Sequence, residues 1–589
     1  ETIYVQSKFD QDVDGDLDLL ATDIIRPKET EDGLKVPVIY EMSPYYQVLG
    51  RGNESETKEA EDGDFQPSVY PLFYDNYFVP RGYAVVLQDA RGTRNSEGCM
   101  VLGADEEEQD GVATIDWLNG RGKAFRADGT EVKADWSTGK VGMIGKSYDG
   151  SIANGVASTG VDGLETIVPI GGISRWYDYH LNRGVQYVNA YETPSLFTFV
   201  IDQTPADDPQ RGQDWVEATF AEATVCSASG SEISASAADP QADYNEFWDA
   251  RDYLKDAKKV KASVFVNHGL NDWNVKPNNF VQWWNALAKN GVPRKMWLAQ
   301  TGHVDPFDFR RKKFVNTLHR WYDYWLHDIN NGIMKEPQVD IERGVGNWKT
   351  YGTWPAAKAR SVRLFLREKK GRKPGGLAFA PAESDTQSYS DDPNQEESEM
   401  VSGRFVEKPS RLLFETRKLK RSMRLSGTVK VKLRATVDQV DTNFTALLVD
   451  YGKATRVDHE GSGEGVSATG KETCFGKSTP EDDACYGSLR RTIAEEPYEI
   501  VSRGWLDARH RKSLRQGELL TPGETYNFRW TIFGEDYFFK KGHRLAIVIA
   551  GSDATWTISD PEAAGVEVAL AKSFVKLPLV GAKRALRPY

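Results

Sequence analysis

The chain has 589 residues, of which 39% are hydrophobic and 27% charged, a composition typical of a soluble folded protein. This length predicts two or three domains, with room for a buried catalytic site. Lys and Arg number 74 against 87 Asp and Glu, and the formal charge of -13 disfavours nucleic acid or an anionic membrane as a partner because the long-range field is repulsive. No uninterrupted apolar run of about 18 residues occurs, so no segment is expected to span a bilayer.

The cysteines and the first residue bear on the cellular compartment. The sequence starts at Glu1 with no charged-then-apolar leader, which fits a secretion signal that has been removed, although a trimmed sequence would look the same. The cysteines form an even set without CxxC spacing, so disulfides are favoured over a zinc site in an exported protein. We therefore expect a secreted, extracellular protein with Cys474 bonded to Cys485 across a short loop, and Cys99 bonded to Cys226.

Short β-branched runs alternate with helical stretches from Val36 to about residue 335, which predicts a mostly parallel sheet with crossover helices. Apolar residues recur at a spacing of three to four in the predicted helices Asp110–Leu118 and Phe280–Lys289. The predicted strands are Val36–Glu41, Tyr83–Gln88, Val141–Ile144, Glu165–Ile170, Ala262–Asn267 and Lys295–Gln300.

Two other regions depart from this alternation. Residues 176–255 are rich in Tyr, Phe, Ala and Asp, and they fall between two consecutive strands, so we expect an inserted helical cap. Beyond residue 355 the helical period disappears and β runs recur between turns, which predicts a β-sandwich of jelly-roll type, with the acidic stretch Glu383–Glu399 as a surface loop. The predicted domains are thus an α/β domain from residues 1–175 and 256–355, the cap, and a β domain over residues 356–589.

The strongest local motif is an apolar strand that runs into Gly145-Lys-Ser147-Tyr-Asp-Gly150 and then a small-residue helix, Ile152–Ser158. It resembles a nucleophile elbow, where a serine lies on a strained strand-to-helix corner and glycines remove side-chain bulk. The commonest elbow has its second glycine where this chain has Asp149, one residue earlier. A glycine-rich turn without catalytic role is the alternative, so the partner residues must decide.

In folds with this elbow, the acid and the base follow the serine in chain order, each after a later strand. Asp272 follows the strand Ala262–Asn267, and His303 follows Lys295–Gln300. Because the carboxyl ends of parallel strands meet at one edge of a sheet, both side chains should lie near Ser147. A turn carboxylate is the alternative role for Asp272, and His268 is expected to shape its loop.

An oxyanion formed at Ser147 needs two hydrogen-bond donors. One would be the backbone N–H of Tyr148, the residue after the nucleophile. The loop after the first strand contains no glycine run that would offer a second amide, but it contains Tyr45, whose hydroxyl could donate instead. Aromatic packing at the sheet edge is the alternative role for Tyr45.

The chain resembles the Xaa-Pro dipeptidyl-peptidases and their relatives, the cocaine-esterase-like and α-amino-acid ester hydrolases. The resemblance covers most of the chain and is carried by four blocks, which are Gly139–Tyr148, Gly172–Tyr177, Asp243–Trp248 and His268–Val275. It implies an α/β-hydrolase domain with an inserted helical cap and a C-terminal all-β jelly roll, and a triad of Ser147, Asp272 and His303. Lactic-acid-bacterial members carry a long helical N-terminal domain, whereas the hydrolase strands begin within the first forty residues here.

The resemblance also implies an activity and a subsite. It implies a serine exopeptidase that releases N-terminal Xaa-Pro dipeptides through an acyl-enzyme, so its substrates would be peptides with proline at the second position. It favours Tyr45 as an oxyanion donor and implies a proline pocket formed by Trp176, Tyr179, Asn274 and Val275. Two alternatives remain, which are an esterase or β-lactam acylase on the same triad and, in another class, a non-catalytic glycan- or surface-binding protein.

One further motif suggests a metal, although no cofactor is required by this chemistry. Alternating carboxylates around a glycine turn can converge on one cation, so the aspartates at every second position before Gly15 suggest a structural Ca²⁺. A polar hairpin tip is the alternative, because Ala21 stands where a calcium loop of the EF-hand type has its glutamate. The candidate ligands are Asp10, Asp12, Asp14 and Asp18.

Overall fold

The computed structural model describes most of the chain. The described residues are 1–11, 13, 15–46, 73–188, 226, 231–233, 235–236, 239–368, 374–383, 385–459, 463–479, 483–559 and 562–586.

The N-terminal half is built on one large sheet. Its strand order is β14-β13-β12-β11-β8-β7-β3-β4-β2-β1-β5-β6, and every neighbouring pair from β13 to β4 is parallel. The strands of this half, with the separate small hairpin β9–β10, are β1 (Thr2–Gln6), β2 (Leu19–Ile25), β3 (Val36–Ser43), β4 (Ala84–Asp89), β5 (Ala124–Phe125), β6 (Glu131–Val132), β7 (Ser137–Lys146), β8 (Leu164–Ile170), β9 (Leu181–Asn182), β10 (Val185–Gln186), β11 (Ser263–Gly269), β12 (Arg294–Ala299), β13 (Val339–Glu342) and β14 (Trp348–Tyr351).

Helices cover both faces of this sheet, as a buried parallel sheet requires. Strand β3 shows the two faces, because Val38, Tyr40 and Met42 belong to one apolar cluster while Ile39 belongs to the cluster on the other side. The long helices are α1 (Asp105–Leu118), α2 (Tyr148–Thr159), α3 (Asn278–Lys289) and α4 (Pro306–Leu326), and the short ones are Tyr74–Phe78, Tyr177–His180, Glu246–Ala250, Glu397–Val401 and Ala582–Ala585.

All six predicted strands of this half are present, with ends that differ from the prediction by a few residues. Helix α1 begins at Asp105, whereas the apolar period predicted a start at Asp110. Its first turn is acidic, and carboxylates there are stabilised by the partial positive charge of a helix N-terminus. The first turn carries no apolar residue, so the period alone could not find it.

Only the two ends of the predicted cap belong to the described residues. They contain the short helix Tyr177–His180, the hairpin β9–β10 and the short helix Glu246–Ala250. Most of residues 189–238 lies outside the described part of the chain.

The C-terminal half is a β domain with its own apolar core. Eleven strands follow the order β17-β26-β19-β27-β15-β16-β18-β25-β20-β23 with β24 paired to β19, and β21 and β22 form a separate hairpin. The strands are β15 (Arg360–Arg367), β16 (Gly375–Ala378), β17 (Thr386–Ser390), β18 (Arg411–Glu415), β19 (Met423–Val437), β20 (Asn443–Val457), β21 (Val466–Cys474), β22 (Cys485–Arg491), β23 (Ile493–Asp507), β24 (Thr525–Phe539), β25 (Arg544–Ala550), β26 (Gly565–Ala569) and β27 (Phe574–Val580).

The prediction of a surface loop over Glu383–Glu399 was wrong. Strand β17 pairs with β26, and the helix Glu397–Val401 follows. Glu397 is buried and forms an ion pair with Arg503, a partner that is remote in sequence. Polar composition misled the prediction because paired charges can be buried.

Two further expectations concern covalent links and membranes. Both predicted disulfides are present, Cys99–Cys226 and Cys474–Cys485. Among the helices of the described ranges, none combines the length and the apolar character needed to cross a bilayer.

Candidate active site

Ser147 lies at the corner between β7 and α2, in a backbone conformation that serine rarely adopts. Its φ is 60° and its ψ is -120°, and such a conformation costs about 1–3 kcal/mol, which the surrounding structure must supply. The Ser147 N–H donates to the Ile170 carbonyl at 2.8 Å, which fixes the corner to the end of β8. The serine is thus held at the carboxyl edge of the sheet by the strand beside it.

The glycines of this corner are required by close backbone approach. A Cβ atom added to Gly145 would lie 2.5 Å from the Cβ of Asp149, and one added to Gly150 would lie 2.7 Å from the Gly145 carbonyl oxygen. Position 149 carries a side chain without such a conflict, although it is buried. Gly150, which stands one residue later than the second glycine of the commonest elbow, is therefore the residue at which helix α2 packs against the end of strand β7.

Asp272 and His303 form a hydrogen-bonded pair on the loops after β11 and β12. The His303 Nδ1 lies 2.7 Å from the Asp272 Oδ2. The other carboxylate oxygen, Oδ1, accepts hydrogen bonds from the backbone N–H groups of Asn274 at 3.1 Å and Val275 at 2.8 Å. Because the carboxylate accepts at Nδ1, that nitrogen carries the proton and Nε2 is left as the basic nitrogen.

Gly171, directly after β8, lies against the Asp272–His303 pair and next to the residue that holds the Ser147 backbone. A Cβ atom added there would lie 2.9 Å from the His303 Cε1 and 3.4 Å from the Asp272 Oδ2. Its neighbour Ile170 accepts the Ser147 N–H. Ser147, Asp272 and His303 thus lie at the same edge of the sheet.

His268 supports the loop of Asp272 from below. Its Nε2 lies 2.8 Å from the Val275 carbonyl oxygen and 3.7 Å from the Asp272 Oδ2. Burial lowers the pKa of His268, so the neutral ring donates to this carbonyl. This contact agrees with the loop-shaping role expected for it.

The side chains of Tyr148 and Tyr45, the two residues predicted to supply oxyanion donors, pack against each other. Tyr148 is the first residue of α2, and its ring packs edge-on against that of Tyr45, with 6.3 Å between centroids. Both side chains are buried. The Tyr148 hydroxyl donates to Glu107 Oε2 at 2.8 Å, and burial raises the pKa of Glu107 to about 7. Sequence reasoning missed Glu107, which lies in the acidic first turn of α1 that the apolar period did not find.

The four residues predicted for a proline pocket lie between Tyr148 and the loop of Asp272. The Trp176 ring packs against Tyr148 at 4.9 Å and against Tyr179 at 5.8 Å between centroids. The Tyr179 hydroxyl donates to Asn274 Oδ1 at 3.0 Å, and the next residue, Val275, binds Asp272 through its backbone. The aromatic pair is therefore joined to the nucleophile corner on one side and to the acid loop on the other.

The aspartates predicted as calcium ligands do not form a cluster in the described part of the chain. Asp18 is buried with its Oδ2 at 3.4 Å from Arg91, and Asp10 accepts the Gly15 N–H at 3.2 Å. Asp12 and Asp14 lie outside the described residues. A structural Ca²⁺ here stays a prediction, and calorimetric titration with Ca²⁺ tests it.

Sequence reasoning also missed three further residues at this site. Lys276 is buried beside Asp272, and Glu464 and Arg503 reach the site from the β domain. Lys276 lies just beyond the His268–Val275 block and could have been found there. No local signal marks the other two.

A large parallel sheet, a serine on a strained corner and a hydrogen-bonded Asp-His pair at the same edge define a serine hydrolase of the α/β-hydrolase type. The family model for the X-Pro dipeptidyl-peptidases (S15 family) matches residues 14–305, and that for the X-Pro dipeptidyl-peptidase C-terminal non-catalytic domain matches residues 331–585. The chain belongs to this S15 family of serine peptidases.

Relatives of known name agree with this assignment. A protein of Streptomyces avermitilis, provisionally named an Xaa-Pro dipeptidyl-peptidase, is 42% identical over 99% of this chain and 84% of its own length. The Xaa-Pro dipeptidyl-peptidase of Lacticaseibacillus casei is 30% identical over 98% of this chain and 76% of its own length.

Two solved structures share the fold. An α-amino acid ester hydrolase has a TM-score of 0.66 at 20% identity, covering 98% of this chain and 96% of that one. A CocE/NonD family hydrolase from Staphylococcus aureus also has a TM-score of 0.66, at 16% identity, covering 99% and 94%. The predicted α/β-hydrolase architecture is confirmed by these likenesses.

Proposed function

We propose that this peptidase removes N-terminal dipeptides whose second residue is proline, with Ser147 as the nucleophile, His303 as the base and Asp272 as the residue that orients it. The observation that carries this proposal is the Asp272–His303 hydrogen bond of 2.7 Å beside the strained corner of Ser147. The names of the relatives in the S15 family supply the support for proline.

The reaction proceeds in two halves through an acyl-enzyme. His303 Nε2 takes the proton of the Ser147 hydroxyl while Oγ attacks the carbonyl carbon of the proline residue. The tetrahedral intermediate collapses, His303 returns the proton to the leaving amine, and the shortened peptide departs. Water then attacks the ester with the same base, and the dipeptide is released.

Negative charge develops on the carbonyl oxygen in both halves. The Tyr148 N–H is suited to stabilise it because it lies at the start of α2, where backbone donors are not used within the helix. The Tyr45 hydroxyl serves as the second donor in this proposal, supported by the proximity of the two rings.

Proline at the cleavage position has a compact ring and no N–H. A pocket that selects it should present flat apolar walls and require no hydrogen bond from that nitrogen. Trp176 and Tyr179 supply such walls, and the chain ties Asn274 and Val275 to Asp272. Shape selection in an apolar pocket is worth about 1–3 kcal/mol per methylene-sized difference.

Comparing Ala-Pro and Ala-Ala anilides tests this function. We expect a preference for Ala-Pro of about 10–200-fold or more in kcat/KM. Trp176→Ala should reduce that ratio more than it slows a small activated ester. Equal turnover of the two anilides would end the proline assignment, and faster turnover of simple esters or β-lactams would favour an esterase or acylase on the same triad.

Two further proposals concern the fold of the β domain and the compartment in which the protein acts. The β domain is a jelly roll in this proposal, supported by its long, mostly antiparallel strands and the large apolar core between them. The protein acts outside the cell, supported by the disulfides Cys99–Cys226 and Cys474–Cys485, which persist in oxidising compartments. Locating the protein by fractionation of its producing cells tests the second proposal.

A further inference from the structure

A hairpin of the β domain is docked on the hydrolase domain beside the active site. This docking hairpin comprises β21, β22 and the preceding residues Gly463–Gly465, and the Cys474–Cys485 disulfide joins its strands. Arg311 of helix α4 donates to the Tyr486 carbonyl at 3.0 Å and the Gly487 carbonyl at 2.6 Å. The hairpin is therefore fixed to the hydrolase domain by buried hydrogen bonds.

The tip of the docking hairpin contacts the loop of the catalytic histidine. The Gly302 N–H donates to the Glu464 carbonyl at 3.0 Å. Burial raises the pKa of Glu464, and the charge of His303 and a hydrogen bond from its backbone lower it in part. A Cβ atom added to Gly302 would lie 2.7 Å from the Glu464 Oε2. The two loops thus meet too closely for a side chain at position 302.

A second connection reaches the base of the same loop. Arg491, the last residue of β22, forms an ion pair with the buried Glu342 through Nη2 and Oε2 at 2.6 Å. That carboxylate also accepts the Gln300 N–H at 2.9 Å, directly after β12. The segment from Gln300 to His303 is therefore held at its start by Glu342, which pairs with Arg491 of the hairpin, and near its end by Glu464.

The acid loop is held by the β domain as well. Trp273, the neighbour of Asp272, lies under the Arg503 guanidinium at 4.1 Å and against the rings of Phe533 at 6.0 Å and Trp556 at 5.5 Å. Ser147, in contrast, is held through β8, within the hydrolase domain.

We propose that Glu464 is a positioning residue for His303, through which the β domain sets the geometry of the Asp-His pair. This inference rests on the proposed triad. Its physical basis is that proton transfer requires the base within hydrogen-bond reach of the nucleophile, so a loop displaced by about 1 Å can cost about 100-fold in rate. The β domain, which is matched by a family model described as non-catalytic, would then be needed for turnover.

Three variants of the full chain test the proposal with an Ala-Pro anilide. Glu464→Ala removes the carboxyl group that packs against the Gly302–His303 loop, and we expect kcat to fall about 10-fold to 100-fold with KM within about twofold. Glu464→Gln keeps an acceptor oxygen of the same reach and should recover most of that loss. Glu472→Gln, an exposed glutamate in β21 of the same hairpin, is the matched control and should equal wild type.

The pattern of outcomes separates the proposals. A kcat loss in Glu464→Ala that Glu464→Gln restores supports the positioning role, since a loss of folding would change the far-UV spectrum and melting temperature instead. Wild-type kcat in Glu464→Ala overturns it. If Glu464→Ala does not fold, Gly302→Ala replaces it as the test, because its added methyl group must separate the two loops. A wild-type rate in Gly302→Ala would then overturn the positioning role of Glu464. Activity retained by Ser147→Ala would instead refute the triad itself.

Discussion

A buried lysine beside the active site offers a sharp test of the energetics. The Lys276 Nζ lies over the Tyr187 ring at 4.0 Å and the Tyr179 ring at 5.6 Å, and across the described ranges it has no hydrogen-bond partner. Burial lowers the pKa of Lys276 from 10.5 to about 7, and the nearby Asp272 offsets only part of this. An ammonium group in this place is therefore costly.

The pKa gives the size and the pH range of that cost. The unfolded chain keeps the ordinary pKa and binds a proton that the folded chain binds only below pH 7. A displacement of this size corresponds to about 5 kcal/mol of destabilisation, present in full below about pH 7 and lost as the pH rises toward 10.5.

Lys276→Met removes the ionisable group and keeps an unbranched apolar chain of similar length. We expect it to raise the free energy of unfolding by about 2–4 kcal/mol at pH 7, the remainder being lost to imperfect packing. The gain should shrink in urea unfolding at pH 10, where the wild-type lysine is neutral when folded. Lys289→Met, at an exposed position at the end of α3, is the control and should change stability by less than about 0.5 kcal/mol. A less stable Lys276→Met protein at pH 7 would refute the reasoning.

The remaining predictions concern the triad, the corner and the disulfide. Ser147→Ala should lower kcat about 10⁴-fold or more with an unchanged far-UV spectrum, and retention of most activity would contradict the nucleophile assignment. Tyr45→Phe should lower kcat about 100-fold to 1,000-fold if its hydroxyl is an oxyanion donor, as measured with the Ala-Pro anilide; a wild-type rate would leave it a packing residue. Gly150→Ala should lower the melting temperature, because its Cβ would lie 2.7 Å from the Gly145 carbonyl oxygen, and an unchanged melting temperature would argue against that contact. Cys474 and Cys485 should resist alkylation in the non-reduced protein and be recovered as one linked peptide, whereas two readily alkylated thiols would argue for a reducing compartment.

Most strands and helices of the hydrolase domain could be predicted from the sequence because each depends on a short local pattern of residues. A strand such as β11 is a short β-branched run, and a turn residue that follows it must leave the sheet at the carboxyl edge. Three such strands ending before Ser147, Asp272 and His303 were enough to predict that these residues lie at one edge of the sheet. The common direction of parallel strands was sufficient for this, without any knowledge of distances.

Local composition misled where burial depends on a remote partner. Glu397 looked like part of an acidic surface loop, yet Arg503 neutralises it inside the β domain. The early start of α1 at Asp105 was missed for a related reason, since helix-dipole stabilisation of carboxylates leaves no apolar period.

The sequence by itself determined which strands precede the three catalytic residues, the strained corner at Ser147 and the pairing of the cysteines. Only the tertiary structure decided how the Asp-His pair is held, through Glu464 at the Gly302–His303 backbone and Arg503 over Trp273. Backbone hydrogen bonds and ring contacts across a domain interface have no period and no fixed spacing along the chain. They exist because two separately formed cores pack together, so they become visible only when both are in place.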